Sequence, residues 1–107
     1  EIINTQDYQE IINTNKPVLL DFYADWCGPC QTLLPIVEEF ATKNSSEFVV
    51  AKINVEKNRE LAVQFSVRSI PALFILKDGE VKENFVGVQS ETFLQEKMNQ
   101  YVEVPSN

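Results

Sequence analysis

A chain of 107 residues with 44% hydrophobic residues is large enough to bury one core without covalent staples, and a single domain over 1–107 is expected. Sixteen acidic residues against nine basic ones give a formal charge of -7, and no Lys/Arg cluster tracks a phosphate backbone, which argues against nucleic acid as a partner. The longest uncharged apolar run, Ile70 to Leu76, contains Pro71 and is far too short to span a bilayer, so a soluble protein that does not cross a membrane is expected.

The chain opens on Glu1 with no initiator Met and no basic segment followed by an apolar stretch. We read this as a longer precursor or a trimmed form, from which an export signal could have been removed. Ile2-Ile3 reads as a short edge strand, and Thr5 as the cap of a helix with Tyr8, Ile11 and Ile12 on one face. Pro17 opens a strand, and Val18 to Ala24 is a nearly continuous apolar run, the pattern of a central strand covered on both faces. A helix follows from about Pro29 to Lys43, with Leu33, Leu34, Val37, Phe40 and Ala41 as its buried stripe and a kink at Pro35.

Phe48 to Asn54 reads as the next strand, and Asn58 as the cap of a short helix burying Leu61, Ala62 and Phe65. Two strand-crossover-strand units wound in parallel are therefore expected. Ala72 to Leu76 and Val81 to Val86 flank Lys77-Asp78-Gly79-Glu80, whose Asp-Gly pair signals a hairpin. Ser90 caps a last helix with Phe93, Leu94, Lys97, Met98 and Tyr101 at helical spacing. The fold class is α/β, a mixed sheet of five strands, at least four, with helices on both faces.

Cys27-Gly28-Pro29-Cys30 holds the only two cysteines, at the junction of the apolar strand and its helix. As a staple the pair is poor, since closing a loop of about four residues stabilises by only about 2 kcal/mol, against about 3 for fifteen residues. A structural zinc site wants about four ligands, mostly Cys and His, and this chain has two Cys and no His. The absence of His also excludes a Cys-His hydrolase, and Gln31 stands where haem attachment requires His. Reversible dithiol-disulfide chemistry is what remains. Cys27 at the helix N-terminus, where unpaired N–H groups favour a thiolate, is the expected nucleophile. Cys30, one turn on and tucked beneath it, is the expected resolving thiol. Pro29 fixes the first turn, and Gly28 removes bulk where a target disulfide must approach.

With no histidine, the candidate bases for the resolving step are carboxylates. Asp21 interrupts the apolar run, so its burial and a raised pKa suit proton transfer with Cys30, directly or through a water. Lys52, inside Val49-Val50-Ala51-Lys52-Ile53, has two readings. Either its ammonium reaches solvent from an edge strand, or it partners Asp21 and lowers the acid's pKa.

From Ile2 to Val102 the chain resembles the thioredoxin family, through Trp26-Cys27-Gly28-Pro29-Cys30 together with Asp21, Pro35, Lys52, Ile70-Pro71 and Gly87. The resemblance implies the thioredoxin fold and a cis peptide bond before Pro71. It also implies that the backbone of Ile70 pairs with an extended substrate segment. Trp26, Gly28, Pro29, Ile70, Pro71 and Gly87 would then form an apolar substrate-binding patch around Cys27. Departures from the commonest family pattern are Gln31 for lysine, Ser69 for glycine, Ala72 for threonine and Tyr23 for tryptophan.

The expected activity is reduction of protein disulfides by a redox-active Cys27/Cys30 pair, with no bound cofactor and no metal. Electrons would come from thioredoxin reductase or a membrane electron donor. The alternatives are a cell-envelope disulfide oxidase or isomerase of the same fold, and a redox-indifferent binding subunit. A cytoplasmic monomer is expected, or a periplasmic or cell-envelope one if a signal was removed ahead of Glu1.

Overall fold

The computed structural model describes residues 5–102. Their order is α1 (Thr5–Ile12), β1 (Val18–Tyr23), α2 (Gly28–Lys43), β2 (Val49–Asn54), α3 (Arg59–Gln64), β3 (Ala72–Lys77), β4 (Glu80–Val86) and α4 (Glu91–Asn99). The expected strand at Ile2-Ile3 lies outside the described residues, as does any first crossover unit built on it. Among the described residues the sheet has four strands in the order β2-β1-β3-β4.

β1 runs parallel to β2 through the α2 crossover and antiparallel to β3, which pairs antiparallel with β4. Hydrogen-bonded on both edges and covered on both faces, β1 needs the apolar run the sequence supplies. Alternation along the strand divides that run between two cores. Val18, Leu20 and Phe22 face Tyr8 of α1 and Leu61 of α3, and Phe22 meets the rings of Phe65 and Phe74 at 5.2 and 5.4 Å. Leu19 faces the other way, onto Leu33, Val37 and Phe40 of α2 and Leu94 and Met98 of α4. Each such side chain removed from water stabilises by about 1.5–3 kcal/mol. Helices therefore cover both faces, as the pattern implied.

Local chemistry departs from the reading at a few points. Thr5 is the first residue of α1 rather than a cap ahead of it. In α2, Leu34 and Ala41 are only half-buried, because the stripe facing the sheet centres on Leu33, Val37 and Phe40. Pro35 is exposed within the helix, which continues past it to Lys43. Phe48 is buried just before β2 rather than within it. Asn58 stands at the N-cap of α3 but does not cap it through its side chain; its amide donates instead to the Asn54 carbonyl at 3.2 Å. Ser90 does cap α4, its hydroxyl accepting the Phe93 N–H at 3.1 Å, and Tyr101 lies beyond that helix's end.

Asp78 and Gly79 alone connect β3 to β4, with φ of 56° and 79°. Two successive left-handed residues make the turn whose twist matches the flanking strands. A Cβ built on Gly79 would meet nothing within 4 Å, so a side chain there is opposed by backbone conformation alone. Gly79→Ala is expected to lower the unfolding free energy by about 1–2 kcal/mol in urea titration, while leaving disulfide reduction unchanged. An unchanged midpoint would contradict this account of the turn.

Candidate active site

The site forms where the central strand hands the chain to a helix. β1 ends at Tyr23, and the Cys27 N–H closes a tight turn onto the Ala24 carbonyl at 3.2 Å. Cys27 is thereby the N-cap of α2, and its sulfur does what a capping oxygen does elsewhere: it accepts the Cys30 N–H, at 3.2 Å. Cys27 and Cys30 are joined by a disulfide, with Cα atoms 5.2 Å apart. Cys30 is 2% exposed and Cys27 5%, yet Gly28 and Pro29 between them are exposed. Beyond its own chain neighbours and helix backbone, a Cβ built on Gly28 would meet nothing within 4 Å, so Gly28 faces open space beside Cys27.

Two further segments frame the pair. Ile70-Pro71 is a cis peptide, and the Ile70 carbonyl oxygen lies 3.8 Å from the Cys27 sulfur. Gly87 lies beside Pro71, its N–H bonded to the Pro71 carbonyl at 2.9 Å, with a φ of 96° that favours glycine. Trp26 is 70% exposed, so it lies outside the core. Its ring borders a hollow of about 210 Å³ shared with Val55, Ala62, Val67, Arg68 and Ile70. Of the departures from the family pattern, Gln31 donates its amide to the Asp25 carbonyl at 3.3 Å, Ser69 is exposed, and Ala72 is buried at the start of β3.

Asp21 sits in the middle of β1, between Lys52 of β2 and Leu73 of β3 in register. It is 1% exposed, and one carboxylate oxygen has no hydrogen-bond partner. Strand alternation puts it on the Leu19 face, beneath α2. Burial penalises its charged form and pushes its pKa up to about 7, with the Lys52 charge pulling in the opposite direction.

Lys52 makes its ion pair with Glu38, a partner neither expected reading named. β2 is an edge strand among the described residues, and the Lys52 ammonium turns toward α2, 3.8 Å from Glu38 and 5.9 Å from the centre of the Tyr23 ring. Its charge still acts on Asp21.

Glu38, Val55, Val67 and Arg68 are the neighbours that sequence reading missed. Glu38 belongs to the exposed face of an amphipathic helix, where one glutamate reads like any other, and the other three join the site only through tertiary packing. Among the described residues, no group of three or more His, Cys, Asp or Glu is placed to hold a metal ion, and no helix is long and apolar enough to cross a membrane.

Comparison with known proteins places this arrangement. The thioredoxin family model matches residues 1–100. The chain is 43% identical over 94 residues to a thioredoxin of Pyropia yezoensis, covering 88% of each chain. It is 39% identical over 101 residues to a thioredoxin of Haemophilus influenzae, covering 94% of each. A solved structure of a mutant thioredoxin from Halobacterium salinarum superposes with a TM-score of 0.86 at 41% identity, over 95% of this chain and 88% of that one. The chain belongs to the thioredoxin family and is a thiol-disulfide oxidoreductase, a reductase of protein disulfides.

Proposed function

We propose that Cys27 is the attacking sulfur, Cys30 the resolving one, and Asp21 the group that handles the proton between them. The observation that carries this is the Cys30 N–H aimed at the Cys27 sulfur from the first turn of α2. In the reduced protein the same N–H, with the helix dipole behind it, stabilises negative charge on Cys27. The Cys27 thiolate attacks one sulfur of a target disulfide, forming a mixed disulfide and expelling the other target sulfur as a thiolate. Asp21 then takes the proton of the Cys30 thiol, directly or through a water. The Cys30 thiolate attacks the Cys27 sulfur, releasing the second target thiolate and leaving the Cys27–Cys30 disulfide. Two electrons have passed to the target, and Asp21 returns its proton to a departing thiolate. Lys52 sets how strongly Asp21 holds that proton.

The target docks on Trp26, Gly28, Pro29, Ile70, Pro71 and Gly87. Exposure of Trp26, Gly28 and Pro29 beside buried sulfurs supports this reading, as does the Ile70 carbonyl next to Cys27. An extended target segment can add to the chain at Ile70, gaining main-chain bonds that are indifferent to sequence. We take the electron donor to be thioredoxin reductase or a membrane donor, and the protein to act as a monomer in the cytoplasm. A reductase is of use where thiols are kept reduced, which supports the cytoplasm.

Cys30→Ser is expected to accumulate target proteins on Cys27 as mixed disulfides that dithiothreitol releases, with turnover at background; Cys27→Ser should accumulate none. Trapping on Cys27→Ser instead would reverse the assignment of the two sulfurs. For Asp21, the native carboxyl keeps its proton until about pH 7, whereas the unfolded one loses it near 3.8. The native state thus binds more protons across that window. The contribution of Asp21 to stability is full below about pH 4 and is lost as pH rises through about 7, by on the order of 4 kcal/mol. Asp21→Asn should flatten that slope in urea titrations and slow release from the mixed disulfide on the order of a hundredfold. A variant with the same slope and the same release rate would sink the role given to Asp21.

A further inference from the structure

Lys52 faces Asp21 across the β1–β2 register, yet its ion pair is made with Glu38 of α2 rather than with Asp21. Two groups therefore share one ammonium. Glu38 Oε1 lies 3.8 Å from it on one side, and the Tyr23 ring lies 5.9 Å away on another. Tyr23 in turn packs against Ala24, Cys27 and Cys30. The cluster joins the redox pair to an exposed carboxylate on the outer side of α2.

We propose that Glu38 is a positioning residue for the proton transfer at Asp21: its carboxylate, with the Tyr23 ring, holds the Lys52 ammonium back from the buried carboxyl. This rests on the role given to Asp21 above. Held back and partly neutralised by Glu38, Lys52 stabilises the Asp21 carboxylate less than a free ammonium would, so Asp21 keeps its proton to higher pH. As stability, the Lys52–Glu38 pair is worth little, since Glu38 is largely exposed and the pair sits at the surface. Its effect is where it leaves the positive charge.

Other charges on this face of the sheet are engaged elsewhere. From β3, Leu73 stands opposite Asp21 and brings no charge. Lys97 of α4 pairs with Glu83 of β4 at 3.4 Å, and Lys43 of α2 pairs with Glu39 and with Glu91 of α4. The Cys27 and Cys30 sulfurs are tied in their disulfide and do not titrate in the oxidised protein. Tyr23 is the remaining titratable neighbour of Lys52.

The test is a titration of the Asp21 carboxyl carbon by NMR in the oxidised protein, paired with the pH profile of release from the mixed disulfide. Glu38→Gln is expected to lower the Asp21 midpoint by about 0.2–0.5 pH unit and to shift the release profile by the same amount. Glu38→Asp, which keeps the charge, should recover most of the shift. In a Lys52→Met background the same Glu38→Gln change should move the midpoint by less than half as much, because the ammonium through which it acts is gone. An unmoved midpoint, or an equal shift in both backgrounds, overturns the proposal. A midpoint that moves while the release profile does not would instead overturn the proton-transfer role of Asp21 and leave the hold of Glu38 on Lys52 intact.

Discussion

Everything in this molecule turns on a sulfur atom serving as a helix cap. The N-terminus of α2 leaves backbone N–H groups without partners inside the helix, and the chain supplies Cys27 where serine, threonine or aspartate would normally stand. A capping oxygen would satisfy the same N–H and do nothing more. A sulfur there accepts the Cys30 N–H and can also form, break and reform a covalent bond. The placement is demanding, because Cys27 must arrive with extended backbone at the end of a rigid strand. β1 meets that demand by being hydrogen-bonded on both sides and covered on both faces, so the junction inherits the rigidity of the core.

The same burial creates the second constraint. A strand this deeply covered penalises any charge placed in it, and Asp21 is placed in its middle with one oxygen unpartnered. A hydrophobic residue would make the fold more stable near neutrality. What the carboxyl supplies is a buried acid whose pKa is raised to about 7 by desolvation. Lys52 opposes the desolvation and is itself occupied by Glu38 and Tyr23, so the balance is set by three elements rather than one.

Those two constraints account for what could be read before any coordinates. β1, α2 and the β3–β4 hairpin were legible because each is over-determined: a continuous apolar run, a helical stripe ending in Lys43, and an Asp78-Gly79 pair that only a tight turn explains. Asp21 was legible because a charge inside such a run has no neutral explanation. Asn58 misled, since a residue of capping type at a capping position can spend its amide elsewhere, here on Asn54. Glu38 carried no signal, because its role depends on α2 lying across β2, a relation that local pattern does not encode. The bond geometry at Pro71 was visible only through the family resemblance, since X-Pro bonds in folded chains are mostly trans.

The most direct test of the unequal sulfurs uses the reduced protein near neutral pH, treated briefly with a limiting amount of iodoacetamide and mapped by peptide mass. Only the thiolate reacts at an appreciable rate, and only an approachable one. The account predicts alkylation at Cys27 with Cys30 spared. Labelling of Cys30 as fast as Cys27, or faster, would contradict it.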